Sequence, residues 1–247
     1  MAIDMNTPNK VHIGLLSPEG TNSGHFRNLE KLLPAEIQLS MEGLQLARSS
    51  RYELAEKSEV IIARARQLVE KLSLQGLIVT GAPVAILNPG LEARVAQAVS
   101  IPVATAVSSC IAALKAIGAK KLLVMTPFDV PMNDKLTDEL ERAGLKVVSC
   151  PPFKDPTFGA SSKVGPDEVV ATTTAAFKNA RGADAIYFQG ARLDPLPAIE
   201  KLEKDLAVPI VASNPAMLWN ILSRLNVKCS VDGYGKLLKN WPALSKQ

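Results

Sequence analysis

The chain has 247 residues, 47% of them hydrophobic and 21% charged, the balance of a globular protein with one large or two small cores rather than of a disordered chain. Its net charge of +4 is carried by scattered residues such as Lys120 and Lys121, Lys201 and Lys204, and Lys236 and Lys239, without the basic stripe and interleaved aromatics that nucleic-acid binding calls for. Cys110, Cys150 and Cys229 are far apart and form no Cys-x-x-Cys or Cys/His cluster, so no metal site is expected and the thiols read as free ones in a reducing compartment.

In chain order, the opening MAIDMNTPNK is polar and does not read as a signal peptide. VHIGLL from Val11 and EIQLSM from Glu36 predict two buried strands, and a helix is expected over 52–72. GLIVT from Gly76 and PVATA from Pro102 predict the next strands. A helix over 109–117 follows, which Ser108 or Ser109 can cap. KLLVMT from Lys121 leads to a helix over 131–143, and LKVVSC from Leu145 leads to one over 166–179. Pro166, Asp167 and Glu168 suit the start of that helix. AIYFQ from Ala185 precedes a helix over 195–206, and PIVAS from Pro209 precedes one over 215–225. Gly118 and Gly144 fall where helix stops belong. No apolar run is long enough to span a bilayer, so the expectation is a cytoplasmic protein with no membrane partner. The βαβ alternation predicts an α/β fold with parallel sheets.

The order contains a repeat. LLSP at Pro18 resembles VMTP at Pro127, and GLIVTGAP at Gly81 resembles AIYFQGAR at Gly190, both at an offset of 109 residues. IPVATAVSS and VPIVASNPA align Pro102 with Pro209 at an offset of 107. The pattern predicts two pseudo-symmetric, Rossmann-like (flavodoxin-like) halves. One is expected to span 8–106 plus 214–247 and the other 107–213. Ligands of such sheets bind beyond the carboxyl ends of the strands, so the loops 17–22, 80–83, 126–133 and 189–192 should converge on one cleft between the halves.

The segments TPFDVPMNDKLTDELERAGLKV, VPIVASNPAMLWNIL and GYGKLL resemble the Asp/Glu racemase superfamily, in its arylmalonate decarboxylase and maleate cis–trans isomerase branch. The resemblance runs from about Val11 to Leu237. It implies one active-site position after the third strand of each half, with a cysteine at one or both; here those positions hold Gly81 and Gly190. A tyrosine frequent after the TP turn is replaced by Phe128, and an asparagine expected in the first loop of the isomerases falls near Thr21 or Asn22.

Candidate chemistry follows from residue type and place. Glu19 and His25 suit proton transfer, and Thr21 joins them as the catalytic candidates. Ser17, Asn22, Thr80, Gly81, Ala82, Pro83, Thr126, Asn133, Gly190, Ala191 and Arg192 are expected to bind substrate. The glycine loops can offer N–H donors to a carboxylate or enediolate oxygen, and a guanidinium binds carboxylate with two hydrogen bonds. Against these stand plainer readings: a polar turn before a helix for the first loop, an ion pair with Asp194 for Arg192, and capping or packing for Asn133. His12 and Trp219 read as structural. Cys110 at a helix start could have a lowered pKa, yet reads best as a small buried hydrophobe. Ser17 and Ser213 lack His/Asp partners for a triad, and no glycine-rich phosphate or dinucleotide fingerprint occurs, so no cofactor is expected. The resemblance, with glycines at both thiol positions, therefore implies an enzyme acting on a small carboxylate, with decarboxylase, lyase or isomerase chemistry that does not use thiols. A homo-oligomer is compatible with it. The alternatives are a catalytically silent carboxylate-binding homologue and a hydrolase or hydratase working through the first loop.

Overall fold

All eight predicted apolar runs form strands in the computed structural model, which describes residues 10–21, 28–190 and 193–245. They are β1 (Val11–Ser17), β2 (Ile37–Gly43), β3 (Gly76–Val79), β4 (Val103–Thr105), β5 (Lys121–Met125), β6 (Lys146–Ser149), β7 (Ala185–Phe188) and β8 (Ile210–Ala212). Two parallel sheets result, with the orders β2-β1-β3-β4 and β6-β5-β7-β8. Their registers reproduce the repeat: Leu15 pairs with Ile78 and Val124 with Tyr187, each pair shifted by 109 residues. In both sheets the third and fourth strands are buried throughout, as strands covered on both faces must be.

The helices are α1 (Ser58–Leu72), α2 (Ala82–Leu87), α3 (Leu91–Val99), α4 (Ala106–Ala116), α5 (Val130–Arg142), α6 (Pro166–Asn179), α7 (Ile199–Leu206), α8 (Ser213–Arg224) and α9 (Lys236–Asn240). Alternation along the first sheet divides its side chains. Leu16, Leu77, Val79 and Val103 join Ile61, Ala65 and Leu68 of α1 and Val95 of α3 in one core. Ile13, Leu15, Ile78 and Ala104 point the other way, into a core shared with Leu122, Val124, Ile186 and Val211 of the second sheet. Between the sheets lie α4 and α8, packed on each other; α4 touches β4 and β8, and α8 touches β3, β4 and β8. A Cβ on Gly76 would lie 3.0 Å from Ile221 Cγ1, so α8 packs close on β3.

Several expected boundaries are corrected. The helix expected over 52–72 is split into a 3-10 turn, Arg51–Leu54, and α1. Ser50 and Glu53 form a capping box around the turn, Glu56 stands at φ +57°, and the amide of buried Asn88 holds the break by accepting from Lys57 N and donating to the Leu54 carbonyl, both at 2.8 Å. The helix of 109–117 starts earlier, at Ala106, so neither Ser108 nor Ser109 caps it; Thr105 is the N-cap. The helix of 195–206 opens with a 3-10 turn at Leu196–Ala198. Helices α2, α3 and α9 come in addition to the expected set.

Candidate active site

The loops that follow β1, β3, β5 and β7 meet in one cleft of about 80 Å³. Ser17, Glu19, Thr80, Gly81, Ala82, Pro83 and Gly190 line it, together with Pro18, Arg51, Pro127, Phe128, Phe158, Gly159 and Ser161. Gly81 stands at φ +91° and Gly190 at φ +106°, conformations open to glycine and costly for other residues. Each lies against a proline of the neighbouring strand-end turn: an added Cβ would sit 3.2 Å from Pro18 Cγ at Gly81 and 2.6 Å from Pro127 Cδ at Gly190. The repeat thus brings two corresponding glycine–proline contacts to one cleft.

The first helical bonds of α2 run from Val84 N and Ala85 N to the Gly81 carbonyl. The N–H groups of Gly81 and Ala82 precede them and have no acceptor within the helix. Thr80 N is taken by the Leu16 carbonyl and Gln189 N by the Met125 carbonyl, both at 3.0 Å, which ties the two glycine loops to their sheets in the same way. Among the described lining residues Glu19 and Arg51 carry charge. Glu19 is half-buried, and its backbone N–H donates to Ser17 Oγ at 3.3 Å.

The expected binding residues divide by place. Thr126 and Asn133 are buried behind the turn after β5: Thr126 Oγ1 donates to Asn133 Oδ1 at 2.5 Å and accepts from Phe128 N at 3.1 Å, while Asn133 Nδ2 donates to the Phe128 carbonyl at 3.3 Å. These bonds shape the turn that carries Pro127 and Phe128. Thr21 is half-buried beside the end of β2, its amide nitrogen 3.2 Å from the position of a Cβ on Gly43. Asn22, His25, Ala191 and Arg192 lie outside the described residues. Asp194, weighed as a partner for Arg192, accepts from Asn28 Nδ2 at 2.7 Å and from Leu196 N at 3.0 Å, and burial raises its pKa.

Sequence reasoning did not find Arg51. It is buried, donates to Asp129 Oδ2 at 2.9 Å and to the carbonyls of Pro127 at 3.2 Å and Pro156 at 2.9 Å, and stacks over Phe128 with 5.3 Å to the ring centroid. The Ser50–Glu53 capping box was a legible signal for its turn, but nothing local announced its partners. Phe158, Gly159 and Ser161, from the segment between β6 and α6, were likewise unforeseen.

None of the three cysteines lines the cleft. Cys110 is fully buried in α4 rather than poised at a cap, and burial pushes its thiol up to about 12. His12 sits in β1 and its ring Nε2 is 2.8 Å from Ser40 Oγ. A larger cavity of about 320 Å³ between α7 and the C-terminal segment is lined by Glu200, Glu203, Lys204 and Lys236, but no strand-end loop reaches it. There the Glu203 carboxylate accepts from Ile210 N and Lys236 N, both at 2.8 Å, as a brace for the chain. The smaller cleft, where the loops after four parallel strands meet, is the better candidate for chemistry.

Comparison with known proteins gives the family and the fold. Residues 13–238 match the sequence model of the family described as arylmalonate decarboxylase. The arylmalonate decarboxylase of Bordetella bronchiseptica is 26% identical over 184 residues, covering 72% of this chain and 77% of that one. A maleate isomerase of Geobacillus stearothermophilus is 24% identical over 140 residues, 56% of this chain and 54% of that one. In structure, the maleate isomerase Iso of Pseudomonas putida superposes with a TM-score of 0.82 at 18% identity, covering 94% of this chain and 99% of that one.

Proposed function

The chain belongs to the arylmalonate decarboxylase family, and from that premise we propose that it is an enzyme of decarboxylase or isomerase type that acts on a small carboxylate without a thiol. The observation that carries the reading is the pair of glycines, Gly81 and Gly190, both at positive φ and both lining one cleft. Fixed N–H donors aimed at developing negative charge stabilise it without reorganising. In a decarboxylation, the bond between a carboxyl group and its neighbouring carbon breaks and CO₂ leaves. The electron pair stays on the substrate as an enediolate, whose oxygens the amides of Gly81, Ala82 and Gly190 hold. Glu19 then delivers a proton to the carbon. The arrangement favours proton transfer over addition of a thiol to a double bond, because both positions hold glycine and at Gly190 the Pro127 ring fills the space that a side chain would need.

The same crowding supports a second reading, a carboxylate binder without turnover. Phenylmalonate and maleate in D₂O, followed by NMR, separate the two. The enzyme reading expects CO₂ release, isomerisation or deuterium uptake next to a carboxyl group. Glu19→Gln should lower the rate by about 10²–10⁴ while leaving the ligand-induced rise in Tm in place. Stabilisation by these carboxylates with neither turnover nor deuterium uptake would decide for the binder.

A further inference from the structure

We propose that Arg51 is a positioning residue, a three-way tie that holds two segments of the second half against the first and thereby sets the shape of the cleft. The proposal rests on the preceding reading only for the location of the cleft. Arg51 lies in the turn before α1, in the first half of the chain. Its three described acceptors all lie beyond β5: Asp129 Oδ2 at 2.9 Å, the Pro127 carbonyl at 3.2 Å and the Pro156 carbonyl at 2.9 Å. Two of these, Pro127 and Asp129, are in the turn after β5. The third is in the strap between β6 and α6, which also sends Phe158 against the outer core of the first half.

The tie reaches the cleft through Pro127. Arg51 fixes the Pro127 carbonyl, and the Pro127 ring is the group that would meet a side chain at Gly190. Asp129 is shared three ways: it accepts from Arg51, from the Tyr52 hydroxyl at 2.8 Å and from Met132 N at 3.1 Å as the N-cap of α5. A buried guanidinium with fixed acceptors loses little side-chain freedom for each bond it forms. One side chain thus sets the position of the turn over the Gly190 cradle and of the strap that closes the cleft with Phe158.

The test is amide hydrogen exchange on the whole chain without ligand, joined to the response to phenylmalonate. Arg51→Gln should speed exchange by roughly tenfold in peptides covering 128–133 and 155–161, with α6 and α7 unchanged. Asp129→Asn, which keeps an N-capping oxygen, should speed the same 128–133 peptides, and the double variant should add less than the sum of the two. Arg94→Gln, which loses a pair with Glu59 outside the cleft, should leave both regions unchanged. Where phenylmalonate raises the Tm of the wild type, Arg51→Gln should diminish that rise and Arg51→Lys should restore part of it. If neither phenylmalonate nor maleate binds, the functional reading fails while the exchange measurement still decides for or against the tie. An Arg51→Gln variant whose exchange rises uniformly, or only in 51–57, overturns the proposal, as does an additive double variant. Should Arg51→Gln not fold, Asp129→Asn with unchanged exchange over 128–133 has the same force.

Discussion

At Gly190 two demands coincide: a backbone at φ +106° and a proline ring 2.6 Å from where a Cβ would stand. At Gly81 the dihedral is similar but the proline is 3.2 Å away, a distance that small shifts absorb. Gly190→Ala should therefore cost about 2–3 kcal/mol of stability and Gly81→Ala about 1 kcal/mol, read from denaturant unfolding. Equal costs would mean that Pro127 yields freely and that the cradle is not closed to side chains. The thiols give a second expectation. Burial pushes Cys110 up to about 12 and Cys150 to about 11, so both are protonated at neutral pH and poor nucleophiles. Iodoacetamide at pH 8 should leave Cys110 unlabelled in the native protein, as mass spectrometry would show; rapid labelling there would refute its burial. Glu19, Thr80, Gly81 and Gly190 were legible as cleft residues because strand ends and the repeat locate them. Arg51 was not, because its partners lie 76 to 105 residues away and no local pattern encodes them. Thr126 and Asn133 were legible by type and position, yet their polar groups are bonded within the turn itself.

Among the elements, α4 shows how a helix start can be set from outside its own sequence. Its N-cap, Thr105, makes no side-chain cap bond. Glu92 of α3 supplies the acceptor, taking Thr105 N at 3.2 Å, Thr105 Oγ1 at 2.9 Å and the Ser108 hydroxyl. Its other oxygen accepts from Arg224 of α8 at 2.9 Å, and Arg224 Nε donates to Asn220 Oδ1 at 2.7 Å. A carboxylate at a helix N-terminus is favoured by the dipole, and here it also joins three helices. Glu92→Ala should lower stability by about 2–3 kcal/mol and Ser108→Ala by about 1 kcal/mol; both carboxylate and guanidinium keep some contact with water, which screens the ionic part. Thermal unfolding checks the order, and a Ser108→Ala cost equal to that of Glu92→Ala would place the stabilisation in the hydroxyl alone. The serines suggested a cap of the usual local kind, whereas α3 itself went unread. In the region of α2 and α3, the apolar Ala82–Leu87 run shows no clear period, and the Asn88-Pro89-Gly90 break hides that helices flank it.

For the molecule as a whole, the repeat foretold two like halves, and the order and register of the sheets carry it out. It did not foretell how they are joined, because joining depends on which faces of α4 and α8 meet. The inner core draws on both sheets, and α8, which follows the last strand of the second sheet, packs on β3 and β4 of the first. Removing α8 would uncover apolar residues in both halves at once, so neither half has a complete core of its own. Unfolding should therefore be a single cooperative event. Two tryptophans make this measurable. Trp219 in α8 is fully buried, with its indole N–H donating to the Pro242 carbonyl at 3.0 Å, and Trp241 is buried just past α9. Their fluorescence reports on α8 and the C-terminal segment, while far-UV circular dichroism reports on both halves. In guanidinium the two transitions should coincide in midpoint and slope. Ile221→Ala, which removes the side chain seated on Gly76, should shift both together by about 2–4 kcal/mol. A fluorescence transition that runs ahead of the dichroism, or an Ile221→Ala shift confined to one probe, would show that the halves unfold separately and that α8 is a detachable cover rather than their common core.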